Sequence, residues 1–192
     1  MNPAVTLTFL YLGKIGRRHA LAYAAAQFMG ATLGIGCALA LFGAALRNPA
    51  VHYVSTVPGP RGTIAALFAE AIVSFGLMIV VLRTASSPRY APLTGFVSGV
   101  IVAVCITLEA PFSGSSMNPA RTFGSAVYAM DWKSYWVYVA GPITGMLLAA
   151  IQFRAAGGRV LCAKLVHGDP RSCVFDECEY RKSDRLGRRV LH

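Results

Sequence analysis

Uninterrupted apolar runs, rather than strict alternation, dominate the chain. Four are long enough to cross a hydrocarbon layer about 30 Å thick, which takes roughly 20 helical residues: Ala20 to Gly43, Thr63 to Leu82, Ala91 to Leu108 and Ser134 to Phe153. The first and third carry no charge, the second contains Glu70, and the fourth opens among Trp132, Tyr135 and Trp136, the kind of aromatic residues that settle at a headgroup boundary. Two shorter stretches, Pro3 to Gly13 and Pro119 to Met130, reach only halfway across at about 1.5 Å per residue. Each follows an Asn suited to an N-cap and starts with Pro at the first helical position, where a missing N–H costs nothing. The pattern predicts an all-α membrane bundle of four transmembrane helices plus two half-helices.

The half-helix starts repeat one another. Met1-Asn2-Pro3-Ala4-Val5-Thr6-Leu7 returns 116 residues later as Met117-Asn118-Pro119-Ala120-Arg121-Thr122-Phe123. In a hydrophobic chain such a repeat implies two equivalent half-units, which usually face each other across a pore or binding site. A helix start at mid-membrane exposes unpaired N–H groups and a partial positive charge of about half a unit. Lipid does not tolerate that; protein or a water-filled cavity must surround it. If the two starts meet at the midplane, their dipoles make a positive focus and the Asn2 and Asn118 amides offer donors. Water then has to present its oxygen, cations and protons are repelled, and neutral polar molecules pass.

Composition agrees with a membrane chain: of 192 residues, 55% are hydrophobic and 14% charged, with a mean hydropathy of +0.54, more apolar surface than a soluble core of this size can hide. Residues 1 to 19 lack the basic start and small-residue cleavage site of a signal peptide. The net charge of +10 reads as topology, with no nucleic acid as partner. Fourteen of the 18 Lys and Arg residues lie in 14 to 18, at Arg83 and Arg89, or from Arg154 onward, all on one side if the spans alternate. By the positive-inside rule the loop after residue 13 and the C-terminal tail are cytoplasmic. Cys37 and Cys105 fall in spans and read as small apolar packing. The histidines His19, His52, His167 and His192 all fall in loops or tail, and no nucleophile, base and orienting group appear together. An enzyme is not expected, and no cofactor is implied.

The twin Asn-Pro-Ala motifs, Arg121 directly after the second, Glu70 in the helix opening the second half, and Gly141-Pro142 with Gly145 in the last span carry a resemblance. Over roughly residues 1 to 155 the chain resembles the aquaporin, or major intrinsic protein, family. A third triplet, Asn48-Pro49-Ala50, sits in a polar loop with no apolar half-helix after it and reads as a turn. The resemblance implies a channel for water, alone or with small neutral solutes, embedded in the lipid bilayer and assembled as a homotetramer. It implies that Asn2, Pro3, Ala4, Asn118, Pro119 and Ala120 form the pore centre. It further implies that Arg121 narrows the outer mouth, with Ser115 and Ile106 at the other filter positions, and that Glu70 accepts hydrogen bonds from the loop entering the second half-helix. Gln27, in the first span, is placed to hydrogen-bond to the first half-helix. Strictly water-selective relatives usually carry His where this chain has Ile106, whereas glycerol facilitators typically carry an acidic residue where it has Thr122. Solute choice stays open between water alone and water plus a small neutral solute such as glycerol.

Gly30 and Gly34, Gly95 and Gly99, and Gly141 and Gly145 each make a G-x-x-x-G pair, predicting tight helix crossings. By domain, residues 1–155 read as a partial channel, with 1–43 the remainder of a first repeat and 63–155 a second, and 156–192 as a basic cytoplasmic tail. Family members have six spans, so two are missing before Asn2, and Met1 looks like an internal methionine. That reads as a fragment or a start assigned too late, and four spans alone are not expected to conduct selectively. Cys162, His167, Cys173 and Cys178 follow a C-x4-H-x5-C-x4-C spacing, and zinc takes about four such ligands; a tail with scattered cysteines is the competing reading. The rival function is accordingly a membrane-anchored regulator acting through that tail.

Overall fold

The computed structural model describes residues 2–166, 173, 175 and 178–180, and the described part is helical throughout its ordered elements. The half-helices are α1 (Pro3–Tyr11) and α5 (Pro119–Ala129); the long helices are α2 (Arg17–Arg47), α3 (Gly62–Ala85), α4 (Thr94–Ser113) and α6 (Tyr135–Ala155). All four long helices are long and apolar enough to cross a membrane, and the protein is an integral, multi-pass membrane protein. Helix α2 outlasts its predicted span, running past a break at Gly43 (φ 7°, ψ −81°) to Arg47. There the Asn48 side chain accepts from the Ala50 N–H at 2.9 Å, so the third Asn-Pro-Ala is a turn.

The third span needs the largest correction. It was expected to run from Ala91 to Leu108, but Ala91–Leu93 form a 3-10 turn and α4 continues to Ser113, taking in Glu109 and Pro111. Glu109 is no stop signal. The helix ends where Gly114 adopts a left-handed conformation (φ +84°) and its N–H closes on Ala110 O at 2.8 Å, as C-terminal caps do. The spans therefore hold a second carboxylate besides Glu70.

Helices α3 and α6 form the central pair, with Leu77, Met78 and Leu82 buried against Met146, Ala149, Ala150 and Phe153. Gly141 and Gly145 permit this crossing. A Cβ on Gly145 would lie 2.1 Å from Ala71 O, and one on Gly141 would lie 2.8 Å from Glu70 Cβ. The other two pairs do not mark crossings among the described residues: nothing lies within 4 Å of a Cβ placed on Gly30, Gly34, Gly95 or Gly99. Spacing predicts where a helix can be approached closely, whereas the partner decides whether it is. Gly145→Ala should therefore lower stability by about 1–3 kcal/mol or more, because backbone on α3 must move. Gly99→Ala should be neutral or slightly stabilising through helix propensity, within about 1 kcal/mol. Thermal unfolding of the 192-residue chain in detergent separates the two.

The half-helices tie the bundle together crosswise. Helix α1 packs on α6, near the end of the described bundle, and α5 packs on α2, near its start; each also lies beside the long helix that follows it. Helix α2 is held mainly through α1, α5 and the turn at His52–Val54, and leaves Leu21, Met29, Leu33, Leu41 and Phe42 exposed.

Candidate functional site: the meeting of two half-helices

Both half-helices are capped by the residue that opens their motif. Asn2 is extended (φ −144°, ψ 117°) and its Oδ1 accepts from Ala4 N at 3.0 Å. Asn118 matches it (φ −152°, ψ 106°), accepting from Ala120 N at 3.1 Å and Arg121 N at 3.4 Å. Pro3 and Pro119 hold the first helical positions. The two tips abut: Asn2 Nδ2 donates to Met117 O, the carbonyl just before Asn118, at 2.6 Å. Ala4 and Ala120, 0% and 1% exposed, are small enough to let the tips come this close. Behind α1, Gln27 Nε2 donates to Thr6 Oγ1 at 3.1 Å.

The loop entering α5 is shaped by one carboxylate. Glu70 is fully buried on α3. Its Oε1 accepts from Ser113 Oγ at 2.8 Å and Ser116 N at 2.6 Å, and its Oε2 accepts from Met117 N at 2.7 Å. Ser113 Oγ accepts in turn from Ser115 N at 3.1 Å. These bonds hold an unfavourable backbone, since Ser115 (φ +51°) and Met117 (φ +52°) are both left-handed, a state that costs a non-glycine residue of order 1–3 kcal/mol. An intramembrane carboxylate of this kind is stable only because its acceptor sites are filled.

Sequence reasoning missed a second brace. Tyr138 on α6, fully buried, donates from Oη to Ser113 O at 2.6 Å. Ser116 Oγ donates to Asn118 O at 2.9 Å and pairs with Thr122 Oγ1, which lies 2.7 Å from Thr56 Oγ1. The available signal was chemical: a tyrosine inside an apolar span, and a run of serines before a helix cap, all need partners in low dielectric.

A cavity of about 580 Å³ brings together Asn2, Asn118, Arg121, Ser115 and Ile106, with Val5, Phe9, Val81 and Val102 as apolar wall. A second, of about 610 Å³, reaches Asn118 and Arg121 from the side of Gln27, Gly30 and Gly34. Among the described residues, Arg121 Nη1 and Ser115 Oγ have no hydrogen-bond partner although buried. Ile106 is 48% exposed and supplies an apolar surface to the first cavity. Both carboxylate oxygens of Glu109, one turn further along α4, are likewise buried without a partner among the described residues. The arrangement is a polar path with apolar walls: fixed donors at the centre and a cation beside them.

After α6 the chain returns to the bundle. Ala163 and Leu165 line the first cavity, and Cys162, Cys173 and Cys178 come together, all buried. His167 lies outside the described residues. Burial pushes the Cys162 thiol up to about 12.

Comparison with known proteins gives these features a context. Residues 1–153 match the family described as Major intrinsic protein. The chain is 37% identical over 150 residues to Aquaporin NIP1-1 of Oryza sativa subsp. japonica, covering 78% of this chain and 51% of the relative. It is also 37% identical over 164 residues to Aquaporin TIP4-4 of Zea mays, covering 82% and 64%. The chain thus spans about half the length of the curated NIP relatives it matches. The aquaglyceroporin from Plasmodium falciparum, solved by X-ray crystallography, shares the fold at a TM-score of 0.71 and 20% identity, covering 79% of this chain and 70% of that one. With the family matched across most of its length and two half-helices abutting at their Asn-Pro-Ala starts, the chain belongs to the major intrinsic protein family.

Proposed function

We propose that the full-length protein is a passive channel for water and small uncharged solutes, and that residues 1–155 supply its pore centre and filter. The observation that carries this reading is the bond from Asn2 Nδ2 to Met117 O, which joins two helix starts inside an apolar bundle. Each start contributes a partial positive charge of about half a unit, and both amides sit on the wall of one cavity. A molecule passing there must turn a lone pair toward the donors, which interrupts any chain of hydrogen-bonded water and disfavours a cation. Arg121 adds a full charge and a planar set of donors on the same wall. The excess of Lys and Arg in residues 14–18 and after α6 supports a cytoplasmic side for both, and the family supports a homotetramer as the assembly.

Ile106 argues for a filter that admits more than water. An apolar side chain on the cavity wall binds no water and offers a carbon backbone a dry contact, and one protein that shares this fold is an aquaglyceroporin. Ile106→His in the full-length protein should reduce glycerol flux about tenfold or more, since an imidazole of similar volume takes away the apolar contact for the carbon backbone, worth about 1–3 kcal/mol, while water flux changes far less. Swelling of proteoliposomes in glycerol and in sucrose gradients measures the two. Equal losses in both fluxes, or none, would remove Ile106 from the filter. A protein that served only as an anchor for its tail would leave water permeability at the lipid baseline.

A further inference from the structure

We propose that Cys162, Cys173 and Cys178 are three ligands of a zinc ion that clasps the segment after α6 onto the membrane bundle. The three sulfur atoms all lie within 4.8 Å of one another, with Cys162 Sγ and Cys173 Sγ 3.6 Å apart. Four-coordinate zinc with Zn–S bonds of about 2.3 Å sets its sulfurs about 3.8 Å from each other, so the thiols already stand close to a ligand arrangement. All three are buried, at 1%, 4% and 0% exposure. A disulfide would use two of them and strand the third, whereas a tetrahedral ion uses all three and leaves one position for a further ligand. Thiolate ligands select soft or borderline ions, and tetrahedral sulfur-rich geometry favours zinc.

The surroundings show what the clasp would hold. The three cysteines cluster with Phe175 and Tyr180, and Val160, Ala163, Leu165 and Phe175 pack on the bundle core, although from residue 157 to 166 the chain forms neither helix nor strand. The segment is folded back: Glu179 N donates to Leu161 O at 3.0 Å, and Lys14 Nζ approaches Glu179 Oε1 at 3.9 Å. Phe175 stacks on Tyr23 of α2 with ring centres 6.2 Å apart. A structural ion would cross-link these contacts through the three sulfurs, as metals do in small domains. Since Ala163 and Leu165 line the cavity at the half-helix starts, the same ion would also keep this segment against the lumen. Lys164 N donates to Cys162 Sγ at 3.4 Å, the kind of backbone bond that orients a ligating sulfur.

The test is metal content of the full chain, purified in detergent under reducing conditions and measured by elemental analysis, with the same measurement on C162S, C173S and C178S. The expected result is close to one zinc per chain in the wild type, in C37S and in C105S, and its loss in each tail variant. Replacing zinc by cobalt in the wild type should give the intense sulfur-to-cobalt absorption of a tetrahedral thiolate site, which decides the matter even if the tail variants misfold. Wild-type protein without zinc that also takes up none when Zn²⁺ is added would overturn the proposal. So would zinc that survives all three substitutions, copper as the resident ion, or cobalt binding without the thiolate absorption.

Discussion

Glu70→Ala should unfold the loop that aims the second half-helix, and with it abolish selective water flux. The substitution removes the acceptor of three hydrogen bonds at once, from Ser113 Oγ, Ser116 N and Met117 N, in a place that bulk water does not freely reach. Each orphaned donor costs about 1–3 kcal/mol, and two backbone residues held left-handed lose what holds them. The expected loss is several kcal/mol of stability, read as a large fall in the unfolding temperature of the full-length protein in detergent. Glu70→Gln should fall between wild type and Ala. Its carbonyl can serve one side of the loop, but its amide then points a donor at another donor. Ser113→Ala, which deletes one of the three donors and the acceptor of the Ser115 N–H, should be milder than Glu70→Ala. Glu70→Ala with wild-type unfolding temperature and wild-type water flux would mean that the loop keeps its shape by other contacts, with Tyr138 and the Ser116–Thr122–Thr56 chain as the ones to examine next.

That ranking also shows which parts of the molecule a sequence can disclose. The number and type of helices were legible because each follows from length and polarity: a run of about 20 apolar residues has one outcome in lipid, and a capped run of half that length has few others. The abutting motifs were legible because repetition implies symmetry. Helix ends were less so. Glu109 looks like a boundary, yet the α4 backbone continues past it to the first residue free to turn left-handed, Gly114. Glycine pairs were legible as opportunities only, and two of the three have no helix against them among the described residues. The hydroxyl chain of Ser116, Thr122 and Thr56 joins three segments distant in sequence, and nothing local in any of them names its partner. Glu70 could be read as needing partners; that those partners are a serine hydroxyl and two backbone N–H groups of one loop is a matter of tertiary geometry.

Arg121→Ala should raise cation leak by about two orders of magnitude while leaving water flux within a few-fold of wild type. The argument is electrostatic. The guanidinium lines the same cavity as both motif asparagines, its Nη1 has no partner among the described residues, and its charge therefore acts on whatever enters. A unit charge about 5 Å from a permeating cation, at an effective dielectric constant of about 20, contributes about 3 kcal/mol of repulsion, which is roughly a hundredfold in rate. Removing it does not remove all selectivity, because the two helix starts still offer about half a unit each. Arg121→Lys separates charge from shape: it should keep most of the cation barrier while losing the planar fork of donors, so that solute discrimination shifts and ion exclusion does not. Proteoliposomes loaded with a pH-sensitive dye and challenged with a membrane potential report the leak, and swelling of the same vesicles reports water. If Arg121→Ala stays as tight to ions as wild type, the barrier resides in the half-helix starts alone. The charge of Arg121 would then serve to position solute, and its loss should appear in glycerol-to-water ratios instead.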